Sequence, residues 1–432
     1  MAGAPPGLDM IAPRRLRGLI VALGIAQIVS WGPLFYAIAV LWPAIAGELG
    51  LSKAFVFGIV SLSLFVNGVM APAVGRFIDR RGGRVVMASG SVLAAVAMAL
   101  LAGAAGPVQY VIGWVLGGAA MSMTLYDPAF ATISQHSGAG HRRALTAITL
   151  FGGFASTVFW PLTAELQAML GWRGVFAVYA LLQLLVCLPL HALVIPSRNR
   201  HGGNADHGPQ AARPAPGVAS STPEPRVPGH DEALWREPAI ASSTRWMFRL
   251  LALSFALVAF NMSSVAMHLL AMLQARGLSL TDAVVVGSVI GPMQVAGRLV
   301  DIVLADRVSP LGLGRFAMVT MVLAMLLFVV LPAGLGTGVV FAALYGAGMG
   351  LQTIVKGLSV AELFGRERYG LWLGRLGRWV FTMHAAAPFA FAGLLASGVG
   401  YERAAWALLA VAVAATLCFS GALRLAPKRR AH

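Results

Sequence analysis

Long apolar segments are the feature that most constrains what this chain can fold into. Of its 432 residues, 58% are apolar and only 11% are charged, whereas about a quarter of the residues of a soluble globular protein are charged. Several of its apolar runs exceed the roughly 20 residues that an α-helix needs to span the hydrocarbon core of a bilayer. The sequence therefore predicts an all-α integral membrane protein.

Twelve apolar segments can be counted between short polar tufts. Six precede residue 196, at 17–46, 54–76, 85–105, 108–134, 144–169 and 173–195. Six follow residue 245, at 247–273, 281–304, 314–333, 336–362, 371–398 and 402–424. The stretch between them, 197–245, is rich in Pro, Gly, Ser, Ala and Arg and has too few apolar residues to fold alone, so we predict a flexible cytoplasmic linker. We expect two pseudo-symmetric six-helix bundles on either side of it, 1–196 and 246–432.

The basic residues are distributed unevenly about the predicted helices. If the N-terminus is cytoplasmic, 26 of the 32 lysines and arginines fall on the cytoplasmic side and four on the other. This ratio fits the positive-inside rule and predicts a multi-pass protein of a bacterial cytoplasmic membrane with both termini in the cytoplasm. The net charge of +16 then reflects topology, and we expect no nucleic-acid partner, because a nucleic-acid binder clusters its charges on one face of a soluble domain.

Four ionisable residues inside the predicted spans stand out: Asp127, Arg298, Asp301 and Lys356. A charge costs about 2.5–3.5 kcal/mol at the centre of a membrane helix on insertion scales, so it normally faces a cavity or a partner. Arg298 and Asp301 share one helix face with Gln294. They form either a self-neutralising pair that permits insertion, or a site in which Asp301 orients Arg298 toward an anionic substrate.

Asp127 and Lys356 occupy matching positions in the two halves of the chain. Residues 117–121 (GGAAM) align with residues 346–350 (GAGMG), and continuing this register places Asp127 on Lys356. A six-plus-six repeat is a known transporter architecture with the substrate path at the repeat interface. We predict that the two residues pair across this path and help to close its inner gate, with Asp127 taking up a proton when the pair opens. The alternative is that each residue pairs locally and permanently, for instance Asp127 with Arg142 or Arg143.

Other polar side chains are candidates for lining the path. Asn261, Ser264 and His268 share a face of the seventh span, and such a stripe more often faces a cavity than lipid. His268 either shuttles protons near neutral pH or stays neutral and hydrogen-bonded to a neighbour. Tyr36 and Tyr126 either contact the substrate or pack in the core.

The loop between the second and third spans carries a family resemblance. Residues 75–84 (GRFIDRRGGR) resemble the signature loop of the major facilitator superfamily, and residues 304–307 (LADR) form a weaker echo after the eighth span. Gly75 lets adjacent helices touch, and Asp79 is expected to cap the following helix and to pair with nearby arginines. The resemblance implies the twelve-helix major facilitator fold and a cytoplasmic latch that breaks and re-forms during transport. The predicted latch residues are Gly75, Asp79, Arg80, Arg84, Asp306 and Arg307.

A second resemblance concerns the branch of this superfamily. Residues 31–36 (WGPLFY) and 142–145 (RRAL) look like those of bacterial porters of the monocarboxylate type. In that group an arginine of the eighth span meets the substrate carboxylate, and Arg298 sits in a comparable place. The acidic residue found one turn earlier in that group is Gln294 here.

These observations favour a secondary transporter that works by alternating access. Two intramembrane cations, Arg298 and Lys356, favour a small organic anion such as a carboxylate, moved with protons. Two alternatives stay open: a proton-driven exporter of drugs or toxic compounds, and a non-transporting receptor with the same fold. The sequence has no phosphate-binding Gly-x-x-x-x-Gly-Lys loop and no Cys/His cluster, so we expect neither an enzyme nor a cofactor or metal. The expected partners are the solute, protons and the lipid bilayer, and the expected state is a monomer.

Overall fold

The computed structural model describes residues 12–197, 242–305 and 307–426. Within these ranges the chain is helical and contains no strand. Most of the predicted linker and the predicted latch residue Asp306 lie outside the described residues. The division into 1–196, 197–245 and 246–432 stays a prediction, and the helix of the seventh span already begins at Ser242, within the last residues assigned to the linker.

The first half contains six membrane spans. Span 1 consists of the helices Pro13–Trp31 and Ile38–Leu49 joined by a π-helical turn, Gly32–Tyr36. Spans 2 and 3 are Lys53–Arg81 and Gly83–Ala102, and span 4 is Pro107–Thr124 followed by Tyr126–Ser134. After a 3₁₀ turn at Gly138–Gly140 come His141–Gly153, Ala155–Leu182 and the π-helical turns Gln183–Cys187 and Leu190–Val194.

Spans 5 and 6 form one continuous apolar stretch, so only eleven separate membrane-length helices are found in the described residues. Gly171 divides this stretch, because its backbone adopts φ +67° and ψ +170°, which are not helical angles. A residue at positive φ is usually glycine, which has no Cβ to clash there. The break separates span 5 (141–170) from span 6 (172–194). The predicted count of twelve spans is therefore confirmed.

The second half contains spans 7 to 12, each formed by one helix. They are Ser242–Ala275, Leu280–Leu304, Pro310–Val330, Leu335–Phe364, Tyr369–Ala396 and Tyr401–Arg424. Spans 8 and 9 begin at the N-caps Ser279 and Ser309. The hydroxyl of each serine accepts a hydrogen bond from the backbone N–H of the residue three positions later. Such caps fix where a helix starts and satisfy a backbone N–H that would otherwise lack a partner.

The chain crosses the bundle twelve times, an even number. The start of span 1 and the end of span 12 therefore lie on the same side. We call this side the terminal face and the other the opposite face. The positive-inside rule predicts that the terminal face is cytoplasmic. This orientation remains a prediction.

The halves meet along spans 2 and 11 and along spans 5 and 8. Glycines permit the close crossing of spans 2 and 11: a Cβ on Gly374 would lie 2.7 Å from the carbonyl carbon of Ala71 and 2.9 Å from the Cα of Pro72. Small residues at helix crossings allow backbones to approach each other in lipid.

The buried apolar core shows where the two halves are joined. One cluster includes Leu23, Phe130 and Leu145 of the first half together with residues of the second half such as Leu358 and Leu376. A separate cluster, from Leu34 to Ala180, contains residues of the first half alone and lies closer to the opposite face. The core is thus continuous between the halves toward the terminal face.

Candidate functional site

Arg298 is buried in span 8 at the contact between the two halves. Only 6% of the residue is exposed, and its Nε has no hydrogen-bond partner. Within the described residues its guanidinium makes no ion pair. Its Nη1 lies directly against Gly153 of span 5, in the space that a side chain at that position would fill. The absence of a Cβ at Gly153 is what admits the arginine head group.

Asp301 does not pair with Arg298, and that prediction is wrong. Its Oδ1 accepts hydrogen bonds from Arg142 Nε (2.9 Å) and Nη2 (2.6 Å), and its Oδ2 accepts one from Thr146 Oγ1. Arg142 Nη1 also donates to the carbonyl oxygens of Ala305 and Val308. These donors belong to span 5 of the other half, and they provide hydrogen bonds to both oxygens of the carboxylate, which is itself fully buried. They also exclude the alternative in which Arg142 is the local partner of Asp127.

Two tyrosines of the first half lie near Arg298 and pack against further aromatic rings. Both Tyr36 and Tyr126 are close enough to interact electrostatically with its charge. The ring of Trp31 lies 5.1 Å from that of Tyr126 and 6.3 Å from that of Tyr36, centroid to centroid. Tyr36 also contacts the ring of Trp160 at 5.9 Å. We call Arg298, Trp31, Tyr36 and Tyr126 the arginine–aromatic cluster.

The π-helical turn Gly32–Tyr36 positions two members of this cluster. A π-turn inserts an extra residue into the helix, and such turns occur frequently at functional sites. Gly32 allows the turn to pack directly on the ring of Phe159 in span 5. Gln294, one turn before Arg298 on span 8, is half-buried and makes no hydrogen bond to the described residues.

Asp127 and Lys356 form an ion pair between spans 4 and 10. Lys356 Nζ lies 2.5 Å from Asp127 Oδ1, and each side chain is 10% exposed. The ammonium also lies 5.3 Å from the ring centroid of Phe381 in span 11, within the range of a cation–π interaction. The pair joins the two halves, as the pseudo-symmetry of the sequence suggested. Its role in gating stays a prediction.

Two candidates of the polar stripe on span 7 lie elsewhere. Asn261 is fully buried within the second half, where its Nδ2 donates to the Leu408 carbonyl (2.8 Å) and its Oδ1 accepts from the Tyr345 hydroxyl (2.7 Å). His268 packs against the rings of Phe391 (4.7 Å) and Tyr401 (6.2 Å). Neither side chain contacts the arginine–aromatic cluster. Their assignment to the substrate site is corrected, because helical spacing defines a shared face and not what that face contacts.

The signature loop binds the other half of the molecule. Gly75 packs against the carbonyl of Gly370. Asp79 accepts hydrogen bonds from the backbone N–H groups of Gly370 (2.8 Å) and Leu371 (2.7 Å) at the start of span 11. The expectation that Asp79 caps the helix that follows it is wrong, since that helix begins at Gly83 and its N-cap residue is Gly82, with no side-chain cap. A carboxylate at a helix N-terminus is stabilised by unpaired N–H groups and the helix dipole.

The other predicted latch residues that the structure describes lie closer to the surface. Arg80 and Arg307 are exposed, and Arg84 is half-exposed. The side chains of Arg84 and Arg307 make no hydrogen bond or ion pair with the described part of the chain. A latch contact that the sequence did not indicate runs from Arg366 Nη1 to the carbonyl of Gly138 (2.5 Å).

The cross-half contacts described above lie toward the terminal face, where the apolar core is also continuous. The molecule is therefore closed at this face. Sequence reasoning missed Arg142 and Thr146 as members of the closure. The internal repeat could have indicated them. Span 8 is the equivalent of span 2, and span 5 is the equivalent of span 11. If span 2 contacts the start of span 11, span 8 is therefore expected to contact the start of span 5. No group of three or more His, Cys, Asp or Glu side chains in the described residues is arranged to hold a metal ion.

The comparisons with known proteins agree with this architecture. The family model described as Major Facilitator Superfamily matches residues 23–370. A crystal structure of a point variant of the E. coli fucose:proton symporter FucP superposes with a TM-score of 0.67 at 13% identity, covering 94% of this chain and 98% of that one. A structure of FucP in the outward conformation also gives 0.67, at 14% identity, covering 95% and 100%.

At this identity the structural likeness shows the twelve-helix fold. No curated protein matches the sequence. The family model covers most of the chain, and the superfamily indicated by the signature loop is confirmed. This chain belongs to the Major Facilitator Superfamily of membrane transporters.

Proposed function

We propose that the protein carries a small organic anion, a carboxylate, across a bacterial cytoplasmic membrane by alternating access coupled to protons. The observation that carries the proposal is the guanidinium of Arg298, which is 6% exposed and has no ion-pair partner in the described residues. An isolated buried cation is costly, and the cost is removed when an anion binds to it. The arginine therefore favours an anionic ligand.

The chemistry of the arginine–aromatic cluster favours a carboxylate among anions. A guanidinium presents a planar fork of donors that matches the two oxygens of a carboxylate. Tyr36 and Tyr126 lie within electrostatic range of Arg298, and the hydroxyl of Tyr36 is available as a further donor, whereas that of Tyr126 donates to the Thr149 carbonyl (3.4 Å). The other intramembrane charges are less available, because Asp301 is bound by Arg142 and Lys356 by Asp127. Lys356 and Gln294 become secondary contacts for the solute once the Asp127 pair opens.

The coupling and orientation follow from separate arguments. FucP, which shares the fold, is described as a proton symporter, and Asp127 provides a protonatable group at the contact between the halves. The positive-inside rule makes the terminal face cytoplasmic. Closure at that face blocks access from the cytoplasm in the proposed cycle, and FucP, which shares the fold, has been solved in an outward conformation. The resemblance to monocarboxylate porters supports the same solute class.

The test is uptake of labelled carboxylates into proteoliposomes under an inward proton gradient. Arg298→Gln is expected to abolish uptake, because truncating one partner of a buried charge pair costs about 2–5 kcal/mol, or roughly 30- to 4,000-fold in affinity. Arg298→Lys keeps the charge but loses the fork, so partial uptake is expected. The same change at exposed Arg315, Arg315→Gln, is the control and leaves uptake intact.

Three outcomes contradict the proposal. Carboxylate uptake unchanged in Arg298→Gln removes its main support. Competition by apolar cations and not by carboxylates identifies a drug exporter. Tight solute binding without flux, measured by thermal shift alongside uptake, identifies a receptor.

A further inference from the structure

A small cavity lies beside the Asp127–Lys356 pair, between spans 2, 4 and 11. Its volume, counted as the space open to the centre of a water-sized sphere, is about 10 Å³. Asn67 and Ser122 line it together with Asp127, and Gly370 and Gly374 of span 11 form its opposite wall. These glycines bring the backbone of span 11 directly against span 2 beside the cavity.

Two buried polar atoms at this cavity have no hydrogen-bond partner. They are Nδ2 of Asn67, a donor on a residue that is 1% exposed, and Oδ2 of Asp127, an acceptor. A buried polar group without a partner costs about 1–3 kcal/mol, and such groups are usually satisfied by protein or by ordered water. Asp127 Oδ2 packs against Gly377 of span 11, where a Cβ would lie 2.6 Å from it. Because glycine has no side chain, this neighbour offers no side-chain donor.

The size and polarity of the cavity match a single water molecule. A site needs roughly 10–15 Å³ of such space and two to four polar partners to hold one water. Asn67 and Asp127 both line this cavity, and their unpartnered atoms supply one donor and one charged acceptor, the minimum number of partners for a water. One water between them would satisfy both atoms.

We infer that this cavity is a proton-relay site: it binds one water molecule between Asn67 Nδ2 and Asp127 Oδ2, and that water delivers the coupling proton to Asp127. A hydronium ion at this position transfers one proton to Oδ2 and leaves a neutral carboxyl group and a neutral water. The carboxyl group then no longer attracts Lys356, so the ion pair that closes the terminal face is weakened. This inference rests on the proton coupling in the proposed function.

The groups that face Asp127 allow this assignment. Lys356 of span 10 holds Oδ1, so Oδ2 is the oxygen left for the proton. From span 11, Tyr369 lies within electrostatic range of Asp127, but its hydroxyl donates to the Gly357 carbonyl (3.1 Å). His384 of span 11 interacts with Lys356, and its Nδ1 is 2.6 Å from Ser263 Oγ. Asn67 is the group from span 2.

Infrared difference spectroscopy of the purified protein between high and low pH tests the site. Wild-type protein is expected to show the C=O stretching band of a protonated carboxyl group that Asp127→Asn abolishes. Asn67→Leu fills the cavity and removes its donor, so this band is expected to move to higher wavenumber as its hydrogen bond to water is lost. Ser63→Ala, a change at a fully buried polar residue one turn earlier on span 2, is the control and leaves the band in place.

A second measurement uses wild-type protein and does not depend on how the variant folds. An O–H stretching band of an internal water is expected in the same difference spectrum, and it shifts in water enriched in heavy oxygen. Absence of this water band, absence of a carboxyl band assignable to Asp127, or a carboxyl band unmoved in Asn67→Leu overturns the inference. Failure of carboxylate uptake with these bands present overturns the solute class and leaves the proton site standing.

Discussion

The ion pair between Asp127 and Lys356 permits a quantitative test of how the terminal face is held closed. Each side chain is 10% exposed, so solvent screens the pair only weakly. Lys356→Gln leaves the Asp127 carboxylate buried without its counter-charge, which costs about 3–5 kcal/mol. The charges separate into water when the face opens, so this cost falls on the closed state. The single change is expected to shift the equilibrium toward the open state by roughly 150- to 5,000-fold.

Removing both charges gives the decisive comparison. A buried pair replaced by neutral groups of similar size is often tolerated without loss of stability. Asp127→Asn combined with Lys356→Gln is therefore expected to restore the closed state, although each change alone opens it. Exchanging the two charges is expected to restore the closed state that each single reversal opens.

The assay is the distance distribution between spin labels on the two halves at the terminal face. Suitable positions are Arg81 at the end of span 2 and Arg315 near the start of span 9, both exposed, with the native Cys187 and Cys418 replaced by alanine. Single variants are expected to lengthen the distance and the neutral double variant to shorten it again. Equal distances in the wild type and Lys356→Gln, or additive opening in the double variant, would refute the reasoning.

Two further predictions concern the helix crossings. Gly374→Ala places a Cβ against the backbone of span 2 and is expected to destabilise the closed state by about 1–3 kcal/mol. The control is Gly393→Ala on the same helix, whose Cβ meets nothing within 4 Å and which is expected to leave the melting temperature unchanged or to raise it. Equal shifts in melting temperature for both variants would contradict the crossing geometry. Arg142→Gln removes the main donor to buried Asp301 and is expected to lower the free energy of unfolding by about 3–5 kcal/mol. Adding Asp301→Asn is expected to recover this loss of stability. A double variant that is no more stable than Arg142→Gln alone would count against the pair.

The features that sequence reasoning predicted were those encoded in patterns along the chain. Apolar length gave the twelve spans, because a bilayer sets a minimum length for each helix. The internal repeat brought Asp127 and Lys356 together in advance of the structure, because residues in equivalent positions of two halves face each other across the pseudo-twofold axis. Gly75 was likewise recognised as a helix contact from its place in the signature loop.

The features that were predicted wrongly depend on contacts between distant segments. Arg298 and Asp301 lie three residues apart, and proximity along a helix suggested that they neutralise each other. The guanidinium of Arg142 offers Asp301 two hydrogen bonds and Thr146 a third, while Arg298 is drawn toward the tyrosines of the first half. Helical spacing cannot choose between a neighbour on the same helix and a better-placed donor on another one.

The two closures at the terminal face use one architecture with different chemistry. On one side the Asp79 carboxylate binds two backbone N–H groups at the start of span 11; on the other, Asp301 binds Arg142 and Thr146 near the start of span 5. The Asp127 cavity lies on the side formed by spans 2 and 11, where the Asp127–Lys356 pair also joins the halves. A proton taken up by Asp127 therefore acts on the same side of the closure as the contacts of Asp79, while the contacts of Asp301 on the other side are unaffected.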